Sequence, residues 1–120
     1  MNTIENNRLI AEFMGFIQST NNHYQCCFGK INRTLPPQYM EFDSNWSWIM
    51  EVVTKIENLT DKNNLVLYDC SIFSDYVTIQ DQHGNEIVMM DKADDEFSSK
   101  IELIYKACVG FIIWYNNNKL

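Results

Sequence analysis

Arginine is scarce in this 120-residue chain. Arg8 and Arg33 are the only two, and the basic total of 9 stands against 16 acidic residues. The net charge of -7 excludes a general nucleic-acid binder, which needs surplus cations to displace counterions from phosphates. Long apolar runs are also missing. No window approaches the roughly 20 residues that cross a bilayer, and residues 1–10 mix Asn, Glu and Arg where a signal peptide is apolar. A location in the bacterial host cytosol, without membrane contact, is therefore expected. The 4 cysteines form an adjacent pair, Cys26 and Cys27, and two singles, Cys70 and Cys108, with no Cys-x-x-Cys spacing and only 2 histidines beside them. Structural, reduced thiols are expected, with no metal and no cofactor.

What the chain does have is core-forming material. At 46% hydrophobic and 13% aromatic it can bury a core without disulfides, and with no repeat or linker a single domain over 1–120 is expected. From Thr3 to about Gln18, Ile10, Phe13, Met14 and Ile17 fall at i, i+3, i+4 and i+7, the stripe of a helix with one buried face. Residues 24–31 alternate weakly and read as a short edge strand. Pro36 and Pro37 make Asn32–Phe42 an ordered loop. A second helix follows with Asp43 or Ser44 as its cap. Trp46, Ile49, Met50, Val53 and Ile56 share one face of it, and Trp48, Val52 and Leu59 form a second apolar line.

Leu65–Phe73, Tyr76–Gln80 and Glu86–Met90 alternate with period two around turn-forming residues, which predicts a three-stranded antiparallel meander. The last helix, Ser99–Asn116, opens with capping-box spacing at Ser99 and Glu102 and carries Ile101, Ile104, Tyr105, Cys108, Ile112 and Tyr115 on one face. Val109, Phe111, Ile113 and Trp114 leave its second half so apolar that it must be deeply buried or form an oligomer interface. The expected fold is α+β: three helices packed on the meander, with residues 24–31 as a candidate fourth edge strand, an α-(β)-α-β-β-β-α sandwich.

Three stretches, Asn7–Gly15 (NRLIAEFMG), Asn45–Glu57 (NWSWIMEVVTKIE) and Lys100–Asn116 (KIELIYKACVGFIIWYN), resemble a family of small phage and prophage proteins common in Bacteroidota. They are also similar to the group called phage ABA sandwich domains. The resemblance spans both ends and the middle of the chain. It implies an alpha/beta sandwich of mobile-element origin and carries over no catalytic residue. The chain departs from the pattern at Ser47, where an acidic residue is usual, and at Glu51, where proline is expected.

No catalytic constellation stands out. His83 sits in a Gly-containing turn, and His23 lies too close in sequence to Cys26 and Cys27 to make an oriented nucleophile–base pair. Asp94, Asp95 and Glu96 precede the last helix, where negative charge complements its dipole. One absence is more informative. Residues 13–40 contain no Asp or Glu and carry +2 from Lys30 and Arg33, while the rest of the chain sums to -9. Cations beside aromatic rings suit an anionic, base-containing ligand. The candidate ligand-binding residues are Tyr24, Lys30, Arg33, Tyr39, Trp46 and Trp48, at the N-terminus of the second helix, itself a natural anion site. The function expected is non-enzymatic binding in phage–host interaction. Two modes are open: docking on a host protein through exposed aromatics such as Trp48 or Trp114, or sequestering a small nucleotide-like anion. The alternative is a structural or accessory homo-oligomer assembled through the last helix.

Overall fold

The computed structural model describes residues 2–94 and 99–118. Helix α1 spans Thr3–Met14. The Asn2 side chain accepts the Glu5 amide at its start, and Gly15, at φ 77°, donates to the Ala11 and Glu12 carbonyls at its end. That left-handed glycine turns the chain out of the helix before Ile17, so the expected last turn does not form. Ile17 instead lies in strand β1 (Ile17–Gln18), 67% exposed.

Strand β1 pairs with β2 (Tyr24–Phe28), and β2 pairs with β3 (Ile31–Leu35), all antiparallel. Residues 24–28 are thus a strand, but of a separate three-stranded sheet and not a fourth strand of the meander. Residues 31–35, expected in a loop, complete that sheet. The cause lies in the turn. Phe28 faces Ile31 across a two-residue loop, with Gly29 at φ 53° in the first position, where a type II′ hairpin turn uses glycine.

Helix α2 spans Trp46–Glu57. Its cap is Asn45, whose side chain accepts the Ser47 amide at 2.9 Å, in place of Asp43 or Ser44. A preceding turn, closed by the Asn45 amide on the Glu41 carbonyl at 2.9 Å, delays the helix start. Trp48, Ile49, Val52, Val53 and Ile56 are buried, whereas Trp46 and Met50 are 49% and 37% exposed. The buried face thus takes Ile49, Val53 and Ile56 from the first expected line and Trp48 and Val52 from the second. The Trp48 ring meets Phe28 and Phe42 edge-on, each with centroids 5.0 Å apart, and Phe16 stacks on Phe28 at 5.7 Å. This cluster fastens the smaller sheet to α2.

Strands β4 (Tyr68–Ile72), β5 (Tyr76–Asp81) and β6 (Glu86–Asp91) form the expected meander. Its rows Ile72–Val77–Met90 and Cys70–Ile79–Val88 line one face. Helix α3 (Lys100–Asn118) covers them, and Gly110 sets the approach: a Cβ there would lie 3.4 Å from Val88 Cγ1 and 3.5 Å from Met90 Cε. Ser99 caps the helix, its Oγ accepting the Glu102 amide at 3.3 Å and donating to the Glu102 carboxylate at 3.2 Å. Val109 and Phe111 are buried in the protein's own core, Ile113 and Trp114 are partly buried against it, and Phe111 meets Phe13, Tyr68 and Tyr115 ring to ring. The described residues form an α+β fold of three α-helices and two antiparallel sheets.

The three helices run in the same direction. Thr3 and Asn6 of α1, Asp43 and Ser44 before α2, and Glu102 and Tyr105 of α3 line one hollow, and the opposite ends of all three helices line another. Asn7 bridges them near the first end. Fully buried, its Nδ2 donates to the Pro37 carbonyl at 2.9 Å and the Met40 carbonyl at 3.3 Å, while its Oδ1 accepts the Tyr105 hydroxyl at 3.0 Å.

Candidate functional site

The hairpin turn between β2 and β3 hangs over the first turns of α2. Phe28, Gly29, Lys30, Ile31, Ser47 and Glu51 line a groove of about 250 Å³ there. Trp46 precedes Ser47 on the exposed side, and Met50, one turn further along, extends its apolar strip.

The six residues expected at this site separate into three groups. Tyr24 and Trp48 are 2% and 0% exposed, so their rings hold the core and offer no stacking face. Arg33 is on the surface, but Nη1 is 2.7 Å from Glu41 Oε2, and the other oxygen of that carboxylate accepts the Asn45 amide at 3.2 Å. The Arg33 hydrogen bond, then that of Asn45, holds the Glu41 carboxyl below its ordinary value. Arg33 therefore braces β3 against the α2 cap. Lys30, Tyr39 and Trp46 remain exposed, Tyr39 at 65%.

Electrostatics at the groove are mixed. Lys30 shares it with Glu51, whose Oε1 would lie 3.6 Å from a Cβ at Gly29. The Ser47 amide, one of the free donors of the α2 N-terminus, is already taken by Asn45. A phosphate placed here would meet one lysine and one carboxylate. Two features of the site were not anticipated, the exposure of Met50 and the Glu41 bridge. Glu41 is the first acidic residue after the acid-free run, which was the available signal.

The remaining nucleophiles and bases are held apart from this groove. His83 lies in the β5–β6 turn, where Asp81 accepts its amide at 2.9 Å, and His23 Nδ1 is 2.8 Å from the Asn21 carbonyl. No group of three or more His, Cys, Asp or Glu is arranged to hold a metal among the described residues. Asp94 closes a short 3-10 turn, while Asp95 and Glu96 lie outside the described residues.

Burial pushes the Cys26 thiol up to about 11, against a smaller opposing effect of Arg33, and the Cys70 thiol up to about 12. Cys108, wholly buried, is raised further. Poor nucleophiles follow, since the thiolate is the reactive form. Iodoacetamide at about pH 8 is expected to label Cys27 alone in the native protein and all four cysteines after denaturation, read by mass spectrometry. Fast native labelling of Cys26 or Cys70 would contradict the burial. The same shifts set an alkaline limit. With folded values above the ordinary 9.0, their stabilisation is whole below that pH and is lost as pH rises through about 11 to 12.

No family model matches the chain, and no curated protein or solved structure matches it. No helix among the described residues is long and apolar enough to cross a membrane.

Proposed function

We propose that this chain is a non-enzymatic binding protein of phage or prophage type that docks on a host protein in the host cytosol. The docking surface is the exposed face of α2 bearing Trp46 and Met50. One observation carries the proposal: Trp46 is left half in water two residues from a tryptophan that is fully buried. Tryptophan is the residue type most enriched among interface hot spots, and an adjoining methionine adapts to a partner's contours. The net charge of -7 points to a partner whose apolar pocket is ringed by basic residues, with binding that weakens as salt rises. Docking is preferred over nucleotide sequestration because Arg33 is paired with Glu41 and Lys30 shares its groove with Glu51.

The test is photo-crosslinking from p-benzoylphenylalanine placed at position 46 in host cells. It is expected to trap a defined host protein, while the same group at position 89, exposed on the meander, traps none. Trp46→Ala should then weaken the isolated complex by about thirtyfold, or ~2 kcal/mol. Equal trapping from positions 46 and 89, or an affinity unchanged by Trp46→Ala, would overturn the proposal.

A further inference from the structure

The exposed face of α2 has two margins. Trp46 and Met50 mark one, and at about 100° per residue Glu51 stands about 140° round the helix from Trp46, with Met50 and Ser47 between them. A protein seated on Trp46 and Met50 and spreading across this face therefore meets the groove under the β2–β3 turn, which Glu51 lines. The first margin carries an exposed indole, and the second is hollow.

The hollow holds a charge that nothing in the fold pairs. Glu51 is partly buried, and its Oε1 lies 3.6 Å from where a Cβ on Gly29 would stand. Among the described residues no hydrogen bond or ion pair reaches the carboxylate, which leaves it to solvent. A surface closing over the groove strips that solvent, and unless it supplies a cation it leaves a buried, unpaired charge. Lys30 lines the groove as well, but it makes no ion pair with Glu51, and it is exposed, so water screens its charge. Phe28 and Ile31, both packed against the core, supply the apolar lining. The volume of about 250 Å³ falls short of the roughly 300–1,000 Å³ of small-molecule sites and suits one inserted side chain.

We propose that this groove takes an arginine side chain of the docked host protein, its guanidinium on the Glu51 carboxylate and its methylenes against Phe28 and Ile31, an assignment that rests on the docking surface at Trp46. Arginine fits better than lysine, since its planar fork pairs with both carboxylate oxygens and is the more weakly hydrated cation. The contact is then reciprocal. Trp46 enters the host protein, and the host protein's arginine enters this chain.

Two measurements test it. In amide NMR titrations, N-acetyl-L-arginine methylamide should shift the Gly29, Lys30 and Glu51 signals and saturate with a Kd on the order of 10 mM. The neutral citrulline analogue should shift none of them, the lysine analogue should bind more weakly, and Glu51→Gln should remove the arginine response at an unchanged melting temperature. In calorimetry with the host protein trapped from position 46, Glu51→Gln should weaken binding at least about tenfold, and Lys30→Gln, which removes a like charge, should tighten it about twofold. Equal responses to the arginine and citrulline analogues would overturn the arginine. So would an affinity for the trapped protein that falls with Trp46→Ala but not with Glu51→Gln, a result that leaves docking in place. Weakening by Lys30→Gln would give Glu51 to the chain's own lysine and overturn it as well. No protein trapped from position 46 would instead overturn the docking surface, and the host arginine with it.

Discussion

Trp48→Ala is expected to lower stability by about 3–5 kcal/mol, a large part of the roughly 5–15 kcal/mol that holds a domain of this size. The side chain is fully buried, so its removal loses the transfer energy of an indole and leaves a cavity that its neighbours only partly fill. It also loses two edge-on ring contacts at 5.0 Å, to Phe28 of β2 and to Phe42 of the loop before α2. Those contacts are how the smaller sheet is fastened to the helices. Hydrogen exchange across residues 24–35 should therefore accelerate by more than the global loss alone accounts for. Trp46→Ala, two residues away and half exposed, is expected to cost under about 1 kcal/mol. Urea denaturation of both variants measures the contrast, and equal losses would contradict it.

Asn7→Leu is expected to cost about 2–4 kcal/mol although leucine has the same heavy-atom count and branching as asparagine and suits a buried helix face. The cost is polar. The Met40 carbonyl loses the Asn7 donor, the Pro37 carbonyl keeps only the Met40 amide at 3.2 Å, and the Tyr105 hydroxyl keeps only the longer contact to the Thr3 carbonyl at 3.5 Å. Burial raises the Tyr105 pKa well above the ordinary value, with Asp43 adding to the effect, so the phenol remains a donor at any working pH. A double-mutant cycle with Tyr105→Phe isolates that bond. The phenylalanine alone should destabilise by about 1 kcal/mol, and it should cost less once Asn7 is leucine, because the shorter of the two hydroxyl bonds, at 3.0 Å, is already gone and only the 3.5 Å contact to the Thr3 carbonyl remains. Full additivity in thermal melts would contradict the shared network.

Several of these features were legible in the residues. The stripe at Ile10, Phe13 and Met14, the Ser99 cap with Glu102, and the alternation that puts Val77 and Ile79 on one face of their strand are local patterns, and local patterns survive folding when no tertiary contact opposes them; the register that sets Val88 and Met90 opposite them is a cross-strand feature. The α2 face was harder. Periodicity places Trp46 and Met50 on one line with Ile49, Val53 and Ile56, and Trp48 and Val52 on another, whereas the buried face combines Ile49, Val53 and Ile56 with Trp48 and Val52. Trp48 is drawn inward by Phe28 and Phe42, which lie 20 and 6 residues upstream of it. The same distance effect hid the second sheet. Ile31–Leu35 is a polar edge strand with a burial pattern close to that of a loop, and only the positive φ of Gly29 in a two-residue turn marks the hairpin. Asn7 left a faint signal, a polar residue three positions before Ile10 on the buried stripe. At the candidate site, composition correctly marked an acid-free run, but nothing within that run could reveal that Glu41, immediately after it, would take Arg33.

The claim on which both stability and docking rest is that α2 turns Trp48 inward and Trp46 outward. Acrylamide quenching of single-tryptophan proteins tests it most directly, with phenylalanine replacing the other two tryptophans in each. Trp46 alone should emit at long wavelength and quench readily, whereas Trp48 alone should emit at short wavelength and resist quenching. Equal quenching of the two, or a protected Trp46 beside an accessible Trp48, would contradict it.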